Sequence, residues 1–203
     1  MNPGKYAVIG LGQFGKAIAK ALVKRGAEVL AIDSDPEEVN NISEDVAFAV
    51  VLDATDKKAL QANDIADFDA VLVTIGQEFE QLLMCTVVLM ELKVKRIIAR
   101  ASGKNSRIIL EKMGVKEILS PEDEVGVIVA ERLTHPNLMS YLQLPDEYRV
   151  AEIKTPPNIV GRTVEEINTR DNYSLSLIAL KEGEDISSKT GILQDYHIKG
   201  VPV

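Results

Sequence analysis

Two hydrophobic periods alternate along roughly the first two thirds of the chain. Short apolar runs fall at 6–10, 28–33, 47–52, 70–75, 96–101 and 117–119. Each has the length and the Val and Ile content of a buried strand. Helical spacing fills the intervals between them. After the first run, Ile18, Leu22 and Val23 share one face, and Lys16, Lys20 and Lys24 another. The stretch DATDKKALQAN opens a helix, with Asp53 or Thr55 as its expected cap. FEQLLMCTVVLMEL is the most apolar helical segment and is expected to be buried over much of its surface. NSRIILEKMG ends in Gly114, which suits a helix C-cap. Strand and helix alternating in this way predict an α/β domain, a doubly wound parallel sheet of six strands with helices on both faces.

The pattern then changes. Ser120 suits an N-cap, Pro121 the first helical position, and Glu122, Asp123 and Glu124 the positive end of a helix. Val125, Ile128, Val129 and Leu133 give that helix an apolar stripe, which needs a partner surface, and Pro136 stops it. NLMSYLQLPDEYRV reads as a short helix or connector, with Pro145 at a boundary. Beyond it, YRVAEIKTP and YSLSLIALKEGEDI read as strands and TVEEIN as a short helix, which together make a small α+β lobe. The expected organisation is a nucleotide-binding domain over 1–135, a helical linker over 136–147 and the small lobe over 148–203.

Gly10-Leu11-Gly12-Gln13-Phe14-Gly15 is a complete G-x-G-x-x-G between the first strand and the first helix. Gly10 allows the tight turn, Gly12 the approach of a phosphate to the backbone, and Gly15 the packing of helix on strand. The helix that starts here offers free N–H groups and a positive dipole end to an anion. Asp33 closes the second strand 18 residues after Gly15, near the ~20 expected of the acid that takes ribose hydroxyls in a Rossmann-like domain. The bland alternative is a turn that only lets a helix pack closely. Asp33 would repel a 2′-phosphate, and the next residue, Ser34, offers no cation to reverse that, so NADP is not expected.

Ligands of open parallel sheets lie at the carboxyl ends of the strands. The loops Asp53-Ala54-Thr55 and Thr74-Ile75-Gly76-Gln77, together with Arg100, are therefore candidate walls. Asp53 could accept from an adenine amino group or cap its helix. Gly76 could admit a ligand or simply turn the chain. Arg100 could meet a phosphate or pair with a helix acid.

Composition narrows the choices. The net charge of −8 gives no electrostatic case for a nucleic-acid partner. The single cysteine, Cys85, cannot form a disulfide within the chain, which fits a reducing, cytoplasmic compartment. Nothing reads as a signal peptide or as ~18 apolar residues able to span a bilayer, so direct membrane insertion is not expected. A dehydrogenase would need an acid or base set against its cofactor. His135 and His197 fall at a helix end and in the tail, and Cys85 lies within the most apolar helix. No nucleophile–base set can be assembled, which favours a nucleotide used as a signal over an enzyme. The competing readings are an NAD-dependent oxidoreductase and a nucleotide- or redox-sensing module for another partner, such as a potassium efflux system.

YAVIGLGQFGKAIAKALVKRGAEVLAIDSDPEEVN, VLDATDKKAL, FDAVLVTIG and GVKEILSPEDEVGVIVAERL, in that order, resemble the RCK domain, the regulator of potassium conductance. The similarity is greatest to the cytosolic gating subunits of bacterial Ktr and Trk potassium uptake systems. IVGRTVEEINTRDNYSLSLIALKEGEDI is similar to the family's small lobe. The resemblance implies a homodimer through the helix at 121–134 and a homo-octameric ring beneath an integral-membrane potassium-translocating subunit. It also implies gating by ATP, ADP or NAD(H) in the crevice. Carried over by residue, Gly10, Gly12, Gln13, Phe14 and Gly15 form the phosphate turn, and Asp33 with Ser34 meets the ribose. Asp53, Ala54, Thr55, Thr74, Ile75 and Gly76 wall the base, and Arg100 approaches phosphate. Glu122 is an interface acid that can join Mg²⁺ binding with ATP, or else simply a first-turn acid favouring the helix dipole.

Two departures from the family pattern stand out. Many Ktr-type members carry arginine where this chain has Gln13, and a neutral amide cannot replace that charge. This shifts weight from ATP/ADP discrimination towards NAD(H). The family's small lobe usually continues with a further glycine–aspartate turn and strand. Here the sequence ends at Val203, so a truncated lobe is expected and a cyclic dinucleotide site in it is in doubt.

Overall fold

The computed structural model describes residues 4–76, 78–143, 148–181 and 198–200. The chain divides into two compact units, residues 1–130 and 131–203. In the first unit the strands are β1 (Lys5–Ile9), β2 (Glu28–Asp33), β3 (Phe48–Val51), β4 (Ala70–Val73), β5 (Ile97–Arg100) and β6 (Glu117–Leu119). The helices are α1 (Gln13–Val23), α2 (Pro36–Asn40), α3 (Lys57–Ala62), α4 (Phe79–Glu91), α5 (Lys104–Met113) and α6 (Pro121–Thr134), whose last turn lies past the boundary. The strands form one parallel sheet in the order β3-β2-β1-β4-β5-β6. This is the Rossmann-like fold that the alternating periods predict.

Strands β1, β2 and β3 serve two cores because successive side chains point to opposite faces. Ala7 and Ile9 of β1, with Val71 and Val73 of β4, pack with Leu82, Cys85 and Leu89 of α4 and Leu110 of α5. Val8 faces the other way, with Val29, Ala31 and Ala19 of α1 and with Val39 and Ile42. All four residues of β4 are buried, as its continuous apolar run requires. The order reverses direction between β1 and β4, so a crevice opens at their carboxyl ends.

Local chemistry sets the helix ends. Gly114 adopts a left-handed conformation (φ 95°) at the α5 C-cap, as expected. The cap of α3 differs from the expectation. Asp56 caps it, accepting from the N–H groups of Lys58 at 2.8 Å and Ala59 at 3.3 Å. Asp53 instead folds onto its own loop. Its Oδ1 accepts from the N–H and the hydroxyl of Thr55, a local turn that spends both expected caps before the helix begins.

In the second unit, β7 (Leu138–Gln143) pairs antiparallel with β8 (Arg149–Ile153), and α7 (Val164–Ile167), α8 (Thr169–Tyr173), β9 (Ala179–Lys181) and β10 (Ile198–Gly200) follow. The helical linker expected from residue 136 is corrected, since residues 138–143 are strand. A six-residue apolar segment cannot separate helix from strand by period alone, and pairing with β8 decides it. TVEEIN does form a helix, α7, closed by a capping box between Thr163 and Glu166. The strand expected from Tyr173 begins only at Ala179, because Tyr173 ends α8. Pro145, Gln77, His197 and the 182–186 end of that strand lie outside the described residues.

Candidate functional site

The crevice is built around three glycines with three separate tasks. Gly10 follows β1 with φ 94°, and a Cβ there would come within 2.8 Å of the Ile75 nitrogen in the loop after β4. The two strands of the switch point therefore meet through a missing side chain. At Gly15, in the first turn of α1, a Cβ would fall 1.9 Å from the Gly10 carbonyl oxygen and 2.6 Å from Thr74 Oγ1. This is close helix–strand packing that no other residue permits. At Gly12, the N-cap of α1, nothing lies within 4 Å of a Cβ position. Gly12 keeps open the space in front of the α1 N–H groups, where an anion would sit. Gln13, beside it, is exposed.

Thr74 braces this turn from β4. It is buried, its N–H donates to the Ile9 carbonyl at 2.8 Å, and its hydroxyl lies 3.0 Å from that oxygen and 2.6 Å from the Gly10 carbonyl. Asp33 fixes the turn from β2. Its Oδ2 accepts from the Leu11 N–H at 2.5 Å and its Oδ1 from the Asp35 N–H at 2.9 Å. Asp33 is half-buried and Ser34 exposed beside it. Sequence reasoning missed Leu11, whose side chain is fully buried and whose N–H ties the glycine turn to Asp33. No side-chain property marks a backbone donor of this kind.

The loop after β3 brings Asp53, buried Ala54 and Thr55 to the same edge. The hydrogen bonds from the Thr55 hydroxyl and N–H hold the Asp53 carboxyl below the usual carboxylate range. A cavity of about 550 Å³ lies between Thr55 and the start of α4, lined also by Glu78, Phe79, Glu80, Gln81 and Met84. Nearby Cys85 is inert. Burial, and secondarily the Asp53 charge, push its thiol up to about 12.

Arg100 ends β5 and reaches across to α1. Its guanidinium carbon lies 5.4 Å over the Phe14 ring, close enough for a cation–π contact. A Cβ on Gly76 would lie 2.6 Å from its Nη1, so Gly76 makes room for this side chain. Nη2 pairs with Glu122 in the first turn of α6, and Nε is buried with no hydrogen-bond partner. Arg100 is thus paired with a helix acid, as one of its two readings has it, and lies over Phe14 beside the glycine turn. The Glu122 carboxyl is held below its ordinary range by its own N–H and then by Arg100. Among the described residues no group of three or more His, Cys, Asp and Glu could hold a metal ion. Glu122 is a single carboxylate paired with Arg100.

A parallel sheet reversing between β1 and β4, with an open glycine at a helix start and an acid at the end of β2, defines a nucleotide-binding domain. The chain belongs to the TrkA-N domain family, which residues 6–121 match. It is 33% identical over 182 residues to Ktr system potassium uptake protein C of Bacillus subtilis (strain 168), covering 90% of this chain and 82% of that protein. The crystal structure of the GsuK RCK domain covers 91% of this chain and 39% of its own, at 22% identity and TM-score 0.58. The GsuK channel bound to NAD covers 88% of this chain and 33% of its own, at 16% identity and TM-score 0.65. These two likenesses show the fold.

Proposed function

We propose that this chain is a nucleotide-binding regulatory subunit of a potassium channel or transporter. An adenine nucleotide or NAD(H) would occupy the crevice between the ends of β1 and β4. The observation that carries this reading is the open N-terminus of α1 at Gly12, built into a chain whose Ktr relative matches it over nine tenths of its length. Gly12 and the first N–H groups of α1 would hold phosphate. Asp33 would hold ribose with the lone pairs its two backbone bonds leave free, and the Asp53–Thr55 loop would meet the base.

The role as a signal rests on what the crevice residues do. Those named above bind, brace or pair, and each is explained by that task. His135, the one histidine among the described residues, bonds within its own helix end. A ligand that prefers one of two conformations then shifts the balance between them and gates the partner.

Assembly follows from α6, whose Val125, Ile128 and Val129 are exposed by 55%, 37% and 47%. Such a stripe supports a homodimer through this helix. The homo-octameric ring and the integral-membrane potassium-translocating partner complete the reading, with the chain on the cytoplasmic side, peripheral through that partner. No helix among the described residues is long and apolar enough to cross a membrane. Deleting the gene tests this. Potassium uptake at limiting external potassium should fall, and wild type but not Gly12→Asp should restore it. Unchanged uptake after deletion would contradict the proposal.

A further inference from the structure

The outer edge of β3 is open. Among the described residues β3 pairs with β2 alone, on one side. Residues of a parallel strand turn their N–H and C=O groups alternately to one neighbour and to the other. The Leu52 N–H donates to the Asp33 carbonyl at 2.9 Å, and Asp33 stands opposite Val51 in the register. Phe48 and Val50 therefore turn to β2 with Leu52, while Ala49 and Val51 turn their N–H and C=O groups outward. Two large apolar side chains flank this open backbone, Phe48 exposed by 58% and Val51 by 48%. Phe48 shares a sheet face with Val50, which packs on the α4 side, and Val51 shares the opposite face with Ala49, which packs on the α1 side. An added strand, whose side chains alternate between faces, would reach both.

Charge decides what that strand is. Edge strands are ordinarily guarded by Lys, by Pro or by a covering element. Residues 44–56 contain no Lys, Arg or Pro and four acids, with Glu44 and Asp45 before β3 and Asp53 and Asp56 after it. Asp45 pairs with Lys20 at 2.8 Å and Asp56 caps α3. Glu44 and Asp53 are exposed and enter no ion pair among the described residues. A second copy of β3, laid parallel or antiparallel, would set acid against acid at both ends. A segment with an apolar centre and a cation at each end meets opposite charge in either direction.

We propose that the open edge of β3 takes an added strand from the membrane partner, an extended segment of alternating apolar residues with Lys or Arg at both ends. Main-chain hydrogen bonds to Ala49 and Val51 give it affinity, Phe48 and Val51 seat its apolar side chains, and the flanking acids select its charge. Cytoplasmic loops of membrane proteins carry an excess of Lys and Arg. The inference deepens the partner reading above and rests on it for the source of the segment, not for the open edge. β3 leads through Leu52 into the Asp53-Ala54-Thr55 loop, so a strand bound there adjoins a wall of the crevice.

The test is fluorescence anisotropy of a labelled peptide, Lys-Lys-Val-Thr-Val-Thr-Val-Lys-Lys, titrated with the full chain. One control peptide has Pro in place of the central Val, and another has Glu in place of every Lys. The protein variants are Phe48→Ser and Val51→Pro, the latter removing an outward N–H at an edge position where proline is admitted. Thermal unfolding checks both, and if Val51→Pro fails to fold, Phe48→Ser decides. Wild type should bind the first peptide saturably and neither control. Each variant should weaken binding about two- to tenfold, the range of one hydrogen bond or cross-strand contact. No binding of the first peptide, equal binding of the proline peptide, or unchanged affinity in Phe48→Ser would overturn the inference. Loss of self-association in folded Val51→Pro, read by sedimentation, would give the edge to a second copy and overturn it too. In the deletion strain Phe48→Ser should restore potassium uptake less well than wild type, and full restoration would overturn the membrane partner as the source. Each of these failures is distinct from unchanged uptake on deletion, which alone contradicts the regulatory reading.

Discussion

Gly12 and Gly15 stand three positions apart and have opposite physical tasks. At Gly15 a Cβ would collide with the Gly10 carbonyl oxygen and Thr74 Oγ1. Gly15→Ala should therefore destabilise the first unit by ~1–3 kcal/mol, as overpacking does, read as a lower urea midpoint. An unchanged midpoint would show that the turn can relax. Gly12 is an N-cap with φ −61° and open space around it. Gly12→Asp places a favoured capping residue there and should leave stability unchanged or slightly raised. It should also weaken nucleotide binding at least about tenfold by setting a carboxylate in the phosphate space. Loss of stability without loss of binding would reverse the two roles. The tight turn at Gly10 and the close packing at Gly15 were legible in the sequence because the motif encodes backbone geometry. The cap of α3 was not. Asp53, Thr55 and Asp56 are all plausible caps by type, and only the turn that Asp53 forms with Thr55 leaves the role to Asp56.

At the scale of elements, α4 shows what an apolar run means. Leu82, Cys85, Thr86, Val88 and Leu89 are buried, as its composition predicts. Thr86 is tolerated there because its hydroxyl donates to the Leu82 carbonyl at 2.7 Å. Cys85, fully buried with its thiol pushed up to about 12, should react with a thiol reagent only as fast as the unit unfolds. Prompt modification of native protein would contradict that burial. In α6, by contrast, no residue is buried. Its stripe was legible as a face needing a partner, and the proposed partner is a second copy. Ile128→Asp should convert dimers to monomers in sedimentation, since the interface would otherwise bury an unpaired charge. An unchanged assembly would place the interface elsewhere. The strand at β7 was misread because its partner, β8, lies beyond a sequence boundary that a local period cannot cross.

For the whole molecule, the six-stranded parallel sheet and the crevice at its carboxyl ends were legible because parallel strands linked by helices admit few arrangements. What joins residues across elements was not. The Asp33–Leu11 tie, the Thr74 brace and the Arg100–Phe14 contact all depend on which loops meet at the switch point. The small lobe was legible only in part. No residue in its described helices is buried, and Leu175, Ile178 and Leu180 are exposed. The central proposal belongs to this scale: that the crevice binds a nucleotide as a signal and does not consume it. Calorimetric titration with ATP, ADP, NAD⁺ and NADH, followed by analysis of the recovered nucleotide, tests it most directly. The account predicts saturable binding of at least one of them, recovered unchanged. No binding, or a nucleotide returned hydrolysed, oxidised or reduced, would contradict it.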